Sequence, residues 1–184
     1  MAKVLVPLAQ GCEELEAVTI IDLLRRAEMQ VITASLDEKP IVASRGTKLL
    51  ADTTLDQVIN EEFDMIVLPG GLPGADNLNE DQRIHTILKN AVDKNNYVAA
   101  ICAAPKVLVS AGLLNNKKAT AYPGVLEVLK NDTVEITGVA VQQDGKVITS
   151  RGPGTAMDFA LEIITCLLGH EKRKQVESAL QRAA

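Results

Sequence analysis

Tyr97–Pro105 reads YVAAICAAP. Its first five residues form a short apolar run of the kind found in a strand buried on both faces. Cys102 follows at once, then two alanines. Pro105 opens a helix, since proline is favoured in a first helical turn, and Gly112 closes it after about Ala111. Asp64–Leu68 (DMIVL) is a second buried strand and runs into a turn at Gly70–Gly71. Lys3–Leu8 (KVLVPL) and Gln30–Ser35 (QVITAS) are further strands. Between them Glu14–Arg26 is a helix, with Leu15, Val18, Ile21, Leu23 and Leu24 near helical spacing. Apolar strands alternating with amphipathic helices predict an α/β fold, a doubly wound, mostly parallel sheet with helices on both faces. Ligands in such sheets bind beyond the carboxyl ends of the strands, where Gly70–Gly71 and Cys102 both lie.

The rest of the chain fits this frame. Residues 40–51 predict a hairpin around Arg45–Gly46, and Asp81–Val92 a helix. A short strand near Lys118–Ala121 and a helix near Val125–Lys130 follow. A second hairpin pairs Gly138–Gln142 with Lys146–Ser150 across Asp144–Gly145. Gly154–Leu168 and Glu171–Arg182 are the closing helices. No repeat or linker interrupts the pattern, so the 184 residues are expected to form one domain, 1–184.

Composition excludes several functions. The net charge of −5 is spread without blocks, and aromatic residues make up 2% with no Trp. Neither a nucleic-acid footprint nor a stacking platform is expected. The apolar start of MAKVLVPLAQG is too short for a signal peptide, and no stretch approaches a membrane span, so a cytoplasmic location is expected. Three cysteines, Cys12, Cys102 and Cys166, are odd in number and widely spaced, which fits neither a disulfide framework nor a zinc site.

Four segments carry candidate chemistry. In AICAAP a tight strand-to-helix turn projects Cys102, and the following N–H groups are expected to lower its pKa and to hold an oxyanion. Position alone leaves Cys102 as either a nucleophile or a small core residue. In GCEELE, Glu13 and Glu14 suit the helix dipole, while Glu16 lies one turn further in. A protonated Glu16 donates a hydrogen bond to a thiolate; an ionised one serves as a general base but raises the thiol pKa. Both roles stay open at this stage. LPGGLPG lets the backbone approach a ligand but matches no phosphate loop. SRGPGT contains Arg151, able to pair with a carboxylate or an anion, and Arg45 at its hairpin tip is similar. His85 and His170 follow no strand, so a Cys–His protease pair is poorly supported.

The segments AQGCEELEAV, SRGTKLLAD, DMIVLPGGLPGADNL, VAAICAAPKVL and ITSRGPGTAMDFAL, in this order, resemble the ThiJ/PfpI superfamily. The similarity is to its DJ-one branch, that of the Parkinson-disease protein and its bacterial homologues, and covers almost the whole chain. The resemblance implies a flavodoxin-like fold and a homodimer with no cofactor or metal. It maps the reactive cysteine onto Cys102 and its carboxyl partner onto Glu16. It implies backbone donors at Gly70, Gly71 and Ala103, with Arg45 and Arg151 flanking the pocket or the interface. Members are associated with glutathione-independent action on methylglyoxal and glyoxal, with removal of early glycation adducts, and with redox-dependent chaperone activity through cysteine oxidation. Two departures stand out. Protease-like members place His directly after the cysteine, where this chain has Ala103. A THP segment of the branch is matched here by Ala121–Tyr122–Pro123. The expected function is a cysteine-dependent glyoxalase or deglycase; the alternative is a redox-sensing stress protein or chaperone.

Overall fold

The computed structural model describes residues 1–129 and 132–182. The chain runs β1 (Lys3–Leu8), α1 (Glu14–Arg26), β2 (Gln30–Ser35), then a small hairpin, β3 (Ile41–Val42) and β4 (Lys48–Leu49). Next come β5 (Thr53–Thr54), α2 (Leu55–Val58), β6 (Met65–Leu68), α3 (Gly74–Glu80), α4 (Gln82–Asp93), β7 (Tyr97–Ile101) and α5 (Pro105–Ser110). It ends with β8 (Lys118–Ala119), β9 (Glu135–Ile136), β10 (Val141–Asp144), β11 (Val147–Ser150), α6 (Ala156–Leu168) and α7 (His170–Ala179). Seven strands form one sheet in the order β10-β11-β7-β6-β1-β2-β5. Every pairing in it is parallel except β10 with β11.

The period-two alternation of a strand sends neighbouring residues to opposite faces, and here both faces are apolar. Val4, Val6, Leu8, Met65, Val67, Ala99 and Ile101 face one way and pack with α1 and α6. Leu5, Ile66, Leu68, Val98 and Ala100 face the other way and pack with α2–α5. A doubly wound, flavodoxin-like α/β sheet is therefore the observed fold. Its strand order reverses around β1, which has β2 on one side and β6 on the other. The carboxyl ends of β7, β6 and β1 consequently lie side by side, at the switch point where such sheets bind ligands.

Several expectations need adjustment. Near Val125–Lys130 the structure has only a 3-10 turn, Glu127–Leu129, and Lys130 lies outside the described residues. The final hairpin starts at Val141 rather than Gly138, because Gly138 takes a left-handed φ of +67° that breaks the strand. The strand expected over Lys118–Ala121 stops at Ala119, and the helix expected from Gly154 begins at Ala156 after a 3-10 turn at Pro153–Thr155. Phe159 of α6 is fully buried between α6 and the sheet. Phe159→Ala is expected to cost about 3–5 kcal/mol through lost transfer energy and a residual cavity. Chemical denaturation should show a lowered midpoint at unchanged slope.

Candidate active site

Cys102 sits between β7 and α5 with a left-handed φ of +64°, a conformation that costs a non-glycine residue about 1 kcal/mol or more. Two backbone bonds hold it there. Its N–H donates to the Ser150 carbonyl at 2.9 Å, and its carbonyl accepts the Tyr122 N–H at 2.9 Å. The residue is 9% exposed, so the thiol lies just beneath the surface.

Glu16 faces it from α1 and is completely buried. The three acidic residues of this segment part ways. Glu13 accepts the Ser44 hydroxyl at 2.7 Å. Glu14 takes the Arg45 N–H at 3.0 Å and the Thr47 N–H at 3.3 Å, so it anchors the β3–β4 hairpin to the start of α1. Burial opposes ionisation of Glu14, but these backbone donors and its own N–H win and hold its pKa down to about 2. Only Glu16 turns inward, where its Oε2 accepts the Gly70 N–H at 2.9 Å. Its Oε1 is buried without a well-aligned donor. The Cys102 thiol lies against this carboxyl and lowers its pKa, although the approach falls short of full hydrogen-bond geometry. Burial outweighs that contact and the Gly70 bond, and the Glu13 charge adds to it, so Glu16 is raised to about 7.

The thiol moves the opposite way from the sequence expectation. Burial, then the charge and hydrogen-bond acceptance of Glu16, push Cys102 up to about 12. The N–H groups of Gly71 and Ala103 pull it down but do not prevail. The site therefore holds one proton tightly, shared between a thiol and a carboxyl that cannot both be charged at low cost.

Gly70 makes this proximity achievable. A Cβ there would lie 2.6 Å from Cys102 Cβ and 2.8 Å from Glu16 Oε2. Of the three expected backbone donors, Gly71 and Ala103 address the thiol, while the Gly70 N–H is already taken by Glu16. Gly71 has a φ of +90°, and a Cβ there would press to 2.4 Å from the Glu13 nitrogen. The β6 turn is thus locked onto the turn after β1, with the Glu13 N–H on the Gly70 carbonyl at 2.9 Å.

The other candidates lie further out. Arg45 is exposed at its hairpin tip and touches the site only through its main chain on Glu14. Arg151 is exposed beside Gly152 and lines a shallow cavity of about 210 Å³ with Tyr122, Pro123 and Pro153. His85 bonds the Asn79 carbonyl at 2.8 Å, and His170 opens α7. Cys12 is buried, and burial with the Glu14 charge pushes it up to about 11. Cys166 bonds Gln143 at 3.4 Å. No cluster of three or more His, Cys, Asp or Glu that could hold a metal exists among the described residues. Nor is any helix among them long and apolar enough to cross a membrane. Sequence reasoning missed the Ser150 carbonyl as a partner of Cys102, since no side-chain pattern signals a backbone acceptor.

Residues 2–166 match the model of the DJ-1/PfpI family. The chain belongs to that family. This DJ-1/PfpI chain is 44% identical over 179 residues to Protein DJ-1 homolog B of Arabidopsis thaliana, a match covering 96% of this chain and 40% of the relative. It spans less than half the length of both Arabidopsis relatives it matches. It is 35% identical over 171 residues to the glutathione-independent glyoxalase DJR-1.2 of Caenorhabditis elegans, covering 93% of this chain and 90% of that one. Its fold superimposes on oxidized DJ-1 of Toxoplasma gondii with a TM-score of 0.94, 39% identity and full coverage of both chains.

The raised pKa of Glu16 has a defined consequence for stability. Between its ordinary 4.5 and about 7 the native state keeps a proton that the unfolded state releases. Native stability should therefore fall as pH rises through this window, by up to about 3 kcal/mol, and level off until the thiols begin to titrate above the ordinary 9.0. Glu16→Gln should abolish that slope. Denaturation midpoints of both proteins across the window measure it.

Proposed function

We propose that the protein is a cysteine-dependent enzyme acting on reactive dicarbonyls such as methylglyoxal and glyoxal, or on their early glycation adducts. The observation that carries this is the buried Glu16 carboxyl, raised to about 7, against the Cys102 thiol. A thiol held up to about 12 is a poor nucleophile on its own, so attack needs a base in contact with it. Ionised Glu16 takes the thiol proton as sulfur bonds to the aldehyde carbon, and a hemithioacetal forms. Neighbouring N–H groups, those of Gly71 and Ala103, stabilise the oxyanion, which then collects the proton from Glu16. Glu16 next moves a proton from the aldehyde-derived carbon to its neighbour, giving a thioester. Water releases the hydroxy acid and restores the thiol. Overall, methylglyoxal and water become lactate, without glutathione or a cofactor. The likeness to the C. elegans glyoxalase supports the same chemistry.

A second reading has its own support. The unpartnered Glu16 Oε1 suits an oxygen added to Cys102, with the protonated carboxyl as donor, as a redox-sensing stress protein or chaperone requires. For assembly we propose a homodimer. Leu15 and Val18 are half exposed on α1, an apolar surface that a second copy would cover.

Lactate formation tests the enzyme. Cys102→Ala should abolish turnover, and Glu16→Gln should lower kcat/KM by about 100-fold or more. In the parent protein kcat/KM should rise with pH through about 7 as Glu16 becomes a base. Full turnover by Cys102→Ala would sink the proposal.

A further inference from the structure

The two N–H groups that address the Cys102 sulfur, those of Gly71 and Ala103, belong to different frames. Gly71 rides on the turn after β6. That turn is fastened to the turn after β1 by the Glu13 N–H on the Gly70 carbonyl at 2.9 Å and by the Gly74 N–H on the Gly11 carbonyl at 3.1 Å. The Gly71 carbonyl accepts the Ala75 N–H at 2.9 Å, so this donor moves with the first turn of α3. Ala103 rides on the β7–α5 elbow, which is fastened to the end of β11 by the Cys102 N–H on the Ser150 carbonyl at 2.9 Å. The backbone ladder between β6 and β7 ends at Leu68 opposite Ala100. Gly71 and Ala103 each lie three residues beyond that last pair, past the reach of strand pairing.

An ion pair joins the two frames at this level. Lys106 Nζ of α5 donates to Asp76 Oδ1 of α3. Lys106 is the second residue of α5 and Asp76 the third of α3, so the pair ties one first helical turn to the other. The Lys106 side chain is only 22% exposed, and a charge-assisted bond so sheltered is screened less than a surface pair. A lysine at this place breaks a local rule, since the amino end of a helix disfavours a cation. Asp76 offsets that cost. Such a breach, answered by one specific partner, is typical of functional positions. Apolar burial in the two helices is small: α3 buries Gly74, Ala75 and Leu78, and α5 buries Pro105, Val107 and Leu108. The ion pair therefore carries much of the alignment between them.

We propose that Asp76 and Lys106 are positioning residues that set the separation of the Gly71 and Ala103 N–H groups around Cys102, and so the hold of these donors on negative charge formed there. That charge is the thiolate and, in the proposed reaction, the oxyanion of the hemithioacetal. Neither side chain takes part in proton transfer. The pair acts through backbone geometry rather than its own field, because its two charges cancel in sum. It rests on the proposed function only for the oxyanion.

Thiol labelling tests the pair without requiring turnover. Cys102 is alkylated by iodoacetamide at several alkaline pH values, and peptide mass spectrometry separates it from Cys12 and Cys166. Lys106→Met and Asp76→Asn should each slow the labelling of Cys102 by about threefold or more, and the double variant should be no slower than the slower single one. Direct action of charge gives opposite signs: losing the cation slows thiolate formation, and losing the anion speeds it. Unfolding would speed the labelling of Cys102 and of buried Cys12 together, so a slower Cys102 beside an unchanged Cys12 is not a folding defect. With methylglyoxal the variants should lose about tenfold in kcat, with KM far less affected. A parental or faster labelling rate in Asp76→Asn overturns the pair, and so do losses that add in full in the double variant. If labelling slows as expected while the parent turns over no dicarbonyl, the pair stands and the enzyme reading falls. If the parent turns over methylglyoxal and labelling is unchanged in the variants, the pair falls alone.

Discussion

The contact between the Glu16 carboxyl and the Cys102 thiol exists because position 70 has no side chain. A single methyl there would collide with the cysteine Cβ and with the carboxylate oxygen. The missing atom lets the turn after β6 slide between α1 and the β7–α5 elbow. It also frees the Gly70 N–H to bind Glu16. The rest of the edge is arranged around this approach. The Gly71 turn is clamped to the turn after β1, and Cys102 is held left-handed by Ser150 and Tyr122. Sheet order supplies the stage, since β7, β6 and β1 are neighbours and end together.

Burial then sets the chemistry. Removing a thiol and a carboxyl from water favours their neutral forms, and proximity penalises two negative charges further. Both groups are raised accordingly, Glu16 to about 7 and Cys102 to about 12. The result is unlike a freely ionised thiolate at a helix N-terminus. In the proposed reaction the thiol stays protonated until the carboxylate beside it accepts the proton, which would link reactivity to an incoming electrophile. In the same reaction, a Glu16 pKa near neutrality would suit it as a base in one step and an acid in the next.

Much of this was legible in the residues. KVLVPL, QVITAS and YVAAI are strands over the residues expected, and Glu14–Arg26 is the expected helix, because their apolar periodicity is unambiguous. α3 was missed since its buried side is only Gly74, Ala75 and Leu78, too little for a periodic signal. The two-residue strands β5 and β9 are defined by their partners rather than by local pattern. At the site, the strand–turn–helix sequence around Cys102 located the cysteine. Choosing among Glu13, Glu14 and Glu16 was beyond spacing alone, because the first two are claimed by the distant Ser44–Thr47 hairpin tip. The rise of the thiol pKa was also hidden, since the same short turn that aims donors at sulfur buries it beside a carboxyl. Gly152 reads in sequence as turn punctuation, and only the fold packs it against the Tyr122 ring near the Cys102 sulfur.

The central claim is that Glu16 keeps its proton to near neutrality and shares its titration with Cys102. Carbon-13 NMR of glutamate-labelled protein follows the Glu16 side-chain carboxyl directly across pH, in the parent and in Cys102→Ala. A carboxyl midpoint near 7 that moves when the thiol is removed is the result this account predicts. A midpoint at the ordinary 4.5, unchanged in Cys102→Ala, would contradict it.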